Sequence, residues 1–242
     1  MRIRLAFAVV GLLVARAAEA RHRHRDRPPA SSVVLDGEPA AVRWTDGDTF
    51  RILSGAHRGR SARLEGYNTL ETFGPVHRWG TWSPGELLAL ARAATPVVAS
   101  RSWSCTTGAA REDRYRRLLV GCPGAAAELV GRGLAMVYEV GAEGDPRLLA
   151  LQRDAQRRGA GIWARGVPRG IVTSVHSAAE ATRGGAYNRV VDTRTGLARG
   201  RPHAVAYATC AEVCEQTEGD RACMVYVPFE RRYRHRPWCL RR

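Results

Sequence analysis

Apolar and polar residues first fall into a regular pattern at Val33. The runs Val33-Val34-Leu35, Ala41-Val42-Arg43-Trp44 and Thr49-Phe50-Arg51-Ile52-Leu53 are short and β-prone, divided by Asp36-Gly37, Asp46-Gly47 and Ser54-Gly55. Closely spaced strands with turn residues between them predict an antiparallel meander or barrel. Arg60-Ser61-Ala62-Arg63-Leu64 adds another strand. Residues 72–81, with Gly74-Pro75 among Phe73, His77 and Trp79, read as a loop whose His77 and Trp79 are open to substrate contact or to packing.

The period then changes. Ser83-Pro84-Gly85-Glu86 supplies an N-cap, a first-position proline and a capping-box glutamate. Leu87, Leu88, Ala91 and Ala94 form the apolar face of the helix, and Pro96 is expected to end it. Residues 97–105 and 117–122 predict two more strands, joined by the polar segment 106–116. A helix follows over residues 125–135, with Leu129, Val130 and Leu134 on one side. The last begins at Asp145-Pro146, with Leu148, Leu151 and Ala155 on one face, and ends near Gly159-Ala160-Gly161-Ile162-Trp163. Strands followed by helices in this order make residues 32–166 one α+β domain.

The ends of the chain have a different composition. Residues 1–20 read as an export signal: Arg2 and Arg4, an apolar run from Leu5 to Ala15, then Ala18-Glu19-Ala20 as a small-x-small cleavage site. That run is too short to span a bilayer, and no later stretch is apolar enough, so no membrane span is expected. Residues 21–31 alternate histidine and arginine before two prolines and read as a disordered basic arm. A secreted or periplasmic monomer is the expectation. The formal charge is +15, from 38 Lys plus Arg against 23 acidic residues, and no lysine occurs at all. Such a chain suits a polyanion such as nucleic acid or an anionic cell surface, although biased composition accounts for the same charge.

Export decides how the six cysteines are read. In an oxidising compartment they are disulfide candidates before they are metal ligands. Cys105 and Cys122 fall on neighbouring predicted strands, where a bridge is feasible and is worth about 3 kcal/mol in the chain-entropy model. Cys210, Cys214, Cys223 and Cys239 lack a Cys-x-x-Cys pair and read as two disulfides, with all three pairings open. They would staple residues 167–242, a small C-terminal segment in which Ile171–Val175 and Arg189-Val190-Val191 are strand-like. Phe229 to Trp238 interleaves arginine with aromatic residues, suited either to stacking on bases or to a solvated tail.

The chemistry is concentrated in Asp46-Gly47-Asp48-Thr49 and Arg63-Leu64-Glu65-Gly66-Tyr67-Asn68-Thr69-Leu70-Glu71. Carboxylate, amide and hydroxyl oxygens suit a hard cation, and a guanidinium fork suits a phosphate. A cation with two arginines offsets the charge that builds up as a phosphodiester is attacked, and a nearby carboxylate can take the proton of water. Signatures of competing chemistry are missing: there is no phosphate-binding glycine loop with lysine, no Gly-x-Ser-x-Gly and no His-Glu-x-x-His.

These stretches, followed by Asp113-Arg114-Tyr115-Arg116-Arg117-Leu118, Glu128-Leu129-Val130-Gly131-Arg132-Gly133-Leu134-Ala135 and Gly161-Ile162-Trp163, together resemble the staphylococcal nuclease (thermonuclease) family in order and spacing. The resemblance implies a five-stranded OB-type β-barrel with three helices, binding Ca2+. It places calcium at Asp48, Asn68 and the Thr69 carbonyl, the general base at Glu71, and phosphate-gripping arginines at Arg63 and Arg117. Tyr115, with Asp113 beside it, falls near the nucleotide. Three positions depart from the family pattern: Asn68 stands where an aspartate is usual, Leu70 where a proline is, and Arg116 where a glycine is. The amide of Asn68 has lost a charge, so weaker calcium binding is expected. The expectation is a secreted calcium-dependent nuclease that cleaves DNA or RNA with little sequence preference. The alternative is an inactive nuclease-like module that only binds nucleic acid.

Overall fold

A computed structural model describes residues 31–180, 185–217, 220–232 and 239. The expected signal, residues 21–30 of the basic arm and residues 233–238 of the arginine-aromatic stretch lie outside the described residues. The architecture is α+β, with three α-helices among the described residues.

The first four strands are the ones the alternation predicts. β1 (Ser31–Leu35), β2 (Glu38–Trp44), β3 (Thr49–Ile52) and β4 (Ser61–Leu64) form an antiparallel meander. β7 (Ser104–Cys105) lies parallel to β1 and β8 (Leu118–Val120) parallel to β4, giving the order β7-β1-β2-β3-β4-β8. The two outer edges then meet: Thr106 and Gly121 exchange backbone N–H···O bonds of 2.8 Å in both directions. The result is a nearly closed, barrel-like sheet. The Cys105–Cys122 disulfide fastens the same seam, with S–S at 2.06 Å. Alternate residues fill the interior, among them Trp44 and Phe50, whose rings meet edge to face at 4.9 Å.

Helix α1 (Pro84–Ala99) begins with the expected capping box and buries Leu87, Leu88, Ala91 and Ala94. It does not stop at Pro96. The proline is exposed, as is Arg92, whose carbonyl loses its usual N–H partner four residues on, so water can satisfy that oxygen. Val98, fully buried, anchors the final turn. The strand predicted over 97–105 therefore shrinks to Ser104–Cys105.

Helix α2 (Pro123–Gly131) ends earlier than its apolar run suggests, and β9 (Ala135–Val140) takes over. Gly133, at φ 65°, makes the break. Its carbonyl accepts the Ile162 N–H at 2.8 Å, and a Cβ at position 161 would lie 2.2 Å from that oxygen. The segments around Gly133 and Gly161 are thus two backbones in contact. β5 (Gly66–Thr69) pairs antiparallel with β9, setting Asn68 opposite Met136. Helix α3 (Pro146–Arg157) buries Leu149, Gln152 and Ala155, whereas Leu151 is 37% exposed, so the predicted face is rotated by about one residue.

Residues 72–81 are not all loop. β6 (Val76–Trp79) is a strand, because the C-terminal segment supplies its partner. β13 (Glu212–Thr217) and β14 (Asp220–Val225) form a hairpin clipped by Cys214–Cys223, and β14 pairs with β6. β10 (Gly170–Ser174), β11 (Ala186–Asp192) and β12 (Leu197–His203) form an antiparallel set whose last strand lies parallel to β9. The second disulfide of this segment joins Cys210 and Cys239, which decides among the three pairings. Disulfides are compatible with an oxidising compartment. Among the described residues no helix is long and apolar enough to cross a membrane.

One buried side chain ties the two halves together. Gln152, 1% exposed, accepts the Val137 N–H at 2.7 Å and donates to the Thr193 carbonyl at 2.5 Å. Gln152→Leu strands both backbone groups without water, at roughly 1–3 kcal/mol each. A fall in the urea midpoint worth at least ~2 kcal/mol is expected, and an unchanged midpoint would refute the link.

Candidate active site

Register brings the chemistry together. Thr49 on β3 sits opposite Arg63 on β4, and β5 begins two residues after β4 ends. Gly47 allows the approach: a Cβ there would lie 2.6 Å from Thr69 Cγ2 and 2.7 Å from Ala94 Cβ. The buried Tyr67 hydroxyl donates to the Gly47 carbonyl at 2.8 Å and holds the turn.

At the centre is Asp48, 2% exposed. Its Oδ1 accepts from Arg63 Nη1 and from the Thr49 hydroxyl at 3.0 Å. Its Oδ2 accepts from the Thr69 N–H at 2.8 Å and the Thr69 hydroxyl at 2.9 Å. Both oxygens therefore have two donors each, which fills a carboxylate's capacity. Arg63 uses its second arm on Asn68, donating from Nη2 to Oδ1. The Asn68 amide in turn donates to the Thr69 carbonyl at 2.7 Å. Asp48, Arg63, Asn68 and Thr69 are thus one connected group.

Burial pushes the Asp48 carboxyl upward, but Arg63 and the Thr69 donors outweigh it and hold its pKa below the ordinary value. Asp46 shows the reverse: burial and then the charge of Asp48 raise it well above its ordinary value, with Arg63 offsetting part. Glu71 is also raised, first by burial, although the Phe73 N–H bonded to its Oε1 at 2.9 Å pulls it back. Three carboxyl groups share this neighbourhood with the Arg63 guanidinium, and an added cation would relieve the burial and mutual repulsion that oppose their ionisation. The donor set is all oxygen, so its chemistry fits a hard metal ion.

Glu71 is positioned by a side chain from the segment that the sequence pattern presents as a loop. Its backbone N–H donates to His77 Nε2 at 3.3 Å. His77 and Trp79 are both 2% exposed on β6, which makes them packing residues and not exposed contacts. Because Nε2 accepts, the proton of neutral His77 is on Nδ1, which is buried without a hydrogen-bond partner among the described residues.

Arg117 lies outside that group. Ala62, Leu64, Leu118 and Val120 point into the barrel, so Arg63 on β4 and Arg117, one residue before the adjacent β8, both fall at non-core positions. Arg117 is gripped by Asp113, with Nε and Nη2 both at 2.7 Å from Oδ2. Asp113 Oδ1 also caps the turn through the N–H groups of Tyr115 and Arg117, each at 2.9 Å. In this turn Arg116, at φ 63°, adopts the conformation for which glycine is favoured. Tyr115 is 57% exposed. Leu70, 1% exposed, belongs to the core between Thr69 and Glu71. No family model matches this chain, and no curated protein matches it.

His77 has a measurable signature. Burial lowers its pKa from 6.5 to about 3, so the unfolded chain takes up the proton first. The neutral ring's contribution is whole above pH 6.5 and is lost as pH falls toward about 3. Urea midpoints for wild type and His77→Gln should therefore converge on acidification, by up to about 1.4 kcal/mol per pH unit. A gap independent of pH would mean that the His77 pKa is the same in the folded and the unfolded chain.

Proposed function

We propose that the chain is a secreted, calcium-dependent phosphodiesterase of the thermonuclease type, acting on DNA or RNA with little sequence preference. The observation that carries this reading is the convergence of Arg63 and Thr69 on the buried Asp48 carboxylate, with Asn68 bridging the two and Glu71 beside them. A five-stranded OB-type barrel is the finer description we propose for this sheet, with the two-residue β7 counted as an edge segment of its six-strand order.

On this reading Asp48, Asn68 and the Thr69 carbonyl hold the cation, which when bound supplies electrostatic stabilisation of the negative charge gathering on the phosphate. Arg63 must leave Asn68 and share or leave Asp48, and its fork then becomes available to a phosphate. Arg117, already on the same outer face, offers a second fork once Asp113 yields part of its grip. Glu71, whose burial raises its basicity, takes a proton from the attacking water as the new P–O bond forms. The old P–O bond breaks, the 5′-oxygen leaves and takes a proton from solvent, and a 3′-phosphate end remains. Tyr115, exposed beside Arg117, is available to the nucleotide.

A second reading has its own observation. The guanidinium bridge from Asp48 to Asn68, and the amide bond from Asn68 to the Thr69 carbonyl, satisfy the site internally. An inactive module that only binds nucleic acid would need nothing more.

Digestion of plasmid and of single-stranded RNA, with calcium titrated upward from chelator, separates the two. The nuclease reading expects no cleavage in chelator and cleavage that rises with calcium. Glu71→Gln and Arg63→Ala should each lower kcat by roughly 10²–10⁴-fold while the circular dichroism spectrum is unchanged. Asn68→Asp, which adds a ligand charge, should lower the calcium needed for half-maximal rate. Binding without cleavage at any calcium concentration establishes the second reading. Cleavage undiminished by chelator refutes the calcium mechanism.

A further inference from the structure

Beside Arg117, the turn 113–117 faces the C-terminal strands, and an arginine-aromatic cluster fills the junction. The Arg114 guanidinium carbon lies 4.7 Å from the Tyr115 ring centre and 5.0 Å from that of Tyr187 on β11. Arg189 lies over Tyr187 at 5.4 Å. Tyr187 and Arg189 are two residues apart on one strand, so they share a face. His176 packs on Tyr187 with ring centres 4.7 Å apart, and its Nδ1 lies 2.9 Å from the Tyr187 carbonyl. With Nδ1 donating to that carbonyl, Nε2 is left as an acceptor toward Arg114 Nη2 at 3.4 Å and the Tyr115 hydroxyl at 3.5 Å.

Two physical features distinguish this cluster from an ordinary cationic surface. First, Arg114 and Arg189 are held by rings and form no carboxylate pair among the described residues, so their charge is not cancelled. His176 registers this: burial lowers its pKa first, and Arg114, Arg232 and Arg189 all push in the same direction. Second, a guanidinium has five N–H donors, and of those of Arg114 only Nη2 is engaged, with the Tyr115 hydroxyl at 2.6 Å and His176 Nε2 at 3.4 Å, which leaves the others to donate. Uncancelled charge, remaining donors and the 57% exposed Tyr115 ring suit a chain of alternating phosphates and bases. The cluster also abuts the site, since Arg117 lies 5.5 Å from the Tyr115 ring centre.

We propose that Arg114, Tyr115, His176, Tyr187 and Arg189 form a subsite for single-stranded nucleic acid, flanking the phosphate held at Arg63 and Arg117. This rests on the nucleic-acid reading above and extends it. His176, Tyr187 and Arg189 lie after residue 166, so the C-terminal segment would set how long a stretch of substrate is gripped. The guanidinium edges of Arg114 and Arg189 take the phosphates, and Tyr115 stacks a base.

The test uses the full chain, with chelator present so that nothing is cleaved. Fluorescence anisotropy is read with a labelled thymidine tetramer, a thymidine dodecamer and an abasic dodecamer, across about 50 to 200 mM salt. Wild type should bind the thymidine dodecamer more tightly than either other probe. Arg189→Ala and Tyr187→Leu should each remove at least ~5-fold of the dodecamer affinity. Arg189→Ala should also reduce the log–log salt slope by about 0.7, and Arg189→Lys should restore that slope. Unchanged thermal midpoints for the Arg189 variants show that the fold is intact. An abasic dodecamer that binds equally well refutes base stacking and leaves a general polyanion site in its place. A thymidine dodecamer whose advantage survives both substitutions overturns the subsite. The two proposals fail separately: cleavage without a length advantage sinks the subsite alone, whereas a length advantage without calcium-dependent cleavage sinks the phosphodiesterase alone.

Discussion

A carboxylate buried at 2% exposure is costly unless every lone pair is used, and Asp48 meets that demand through three different segments. The hydroxyl of Thr49 comes from its own strand, Arg63 from the neighbouring one, and the N–H and hydroxyl of Thr69 from the strand after that. Because each donor is fixed by a different register, the carboxylate can be satisfied only when β3, β4 and β5 are all in place. The same constraint assembles the site before any ligand arrives. It also explains the Asp-Gly-Asp spacing: residue 47 must be glycine for Thr69 and Ala94 to come so close.

The C-terminal strands extend that dependence outward. Glu71 follows directly on the Asp48 network, and its backbone is held by His77, a residue whose strand exists because β14 pairs with it. The hairpin carrying β14 is closed by Cys214–Cys223. On the other flank, β12 extends the sheet beyond β9, and Gln152 bonds to both sides of the junction. The position of the carboxylate next to the site is therefore a property of both halves of the chain.

Much of the barrel and the central site was legible in the sequence, because those features are local. Alternation over Val33–Leu64, the Ser83–Glu86 capping box and the grouped Asp48, Arg63, Asn68 and Glu71 each express a rule that acts over a few residues. What was not legible depends on distant partners. β6 is a strand only against β14, and β9 emerges from an apolar run that reads equally well as helix until Gly133 breaks it. Pro96 is tolerated because the carbonyl it orphans faces water, an exposure no local pattern reveals. The α3 face was misjudged because Gln152 is polar, and a polar residue is counted as buried only once its two backbone partners are known. In the site, the amide of Asn68 was read as a weakened ligand, whereas its bonds to Arg63 and the Thr69 carbonyl give it a structural part as well.

Arginine is the only strong base this chain uses, and the structure divides it between two kinds of support. Arg63 and Arg117 are held by carboxylates, so their charge is locally cancelled and their donors are occupied. Arg114 and Arg189 are held by rings, which fix the guanidinium without neutralising it. A polyanion approaching this face gains most, at first, from the ring-held pair, since no ion pair among the described residues has to be broken. Engaging Arg117 or Arg63 means exchanging a protein carboxylate for a phosphate, a nearly balanced trade that a neighbouring attraction can tip. Arginine suits this division better than lysine, because its planar guanidinium can lie against a tyrosine ring and has five donors to an ammonium's three. The proposed subsite and the proposed reaction centre are in this sense one electrostatic gradient, from uncancelled charge at β11 to cancelled charge at Asp48.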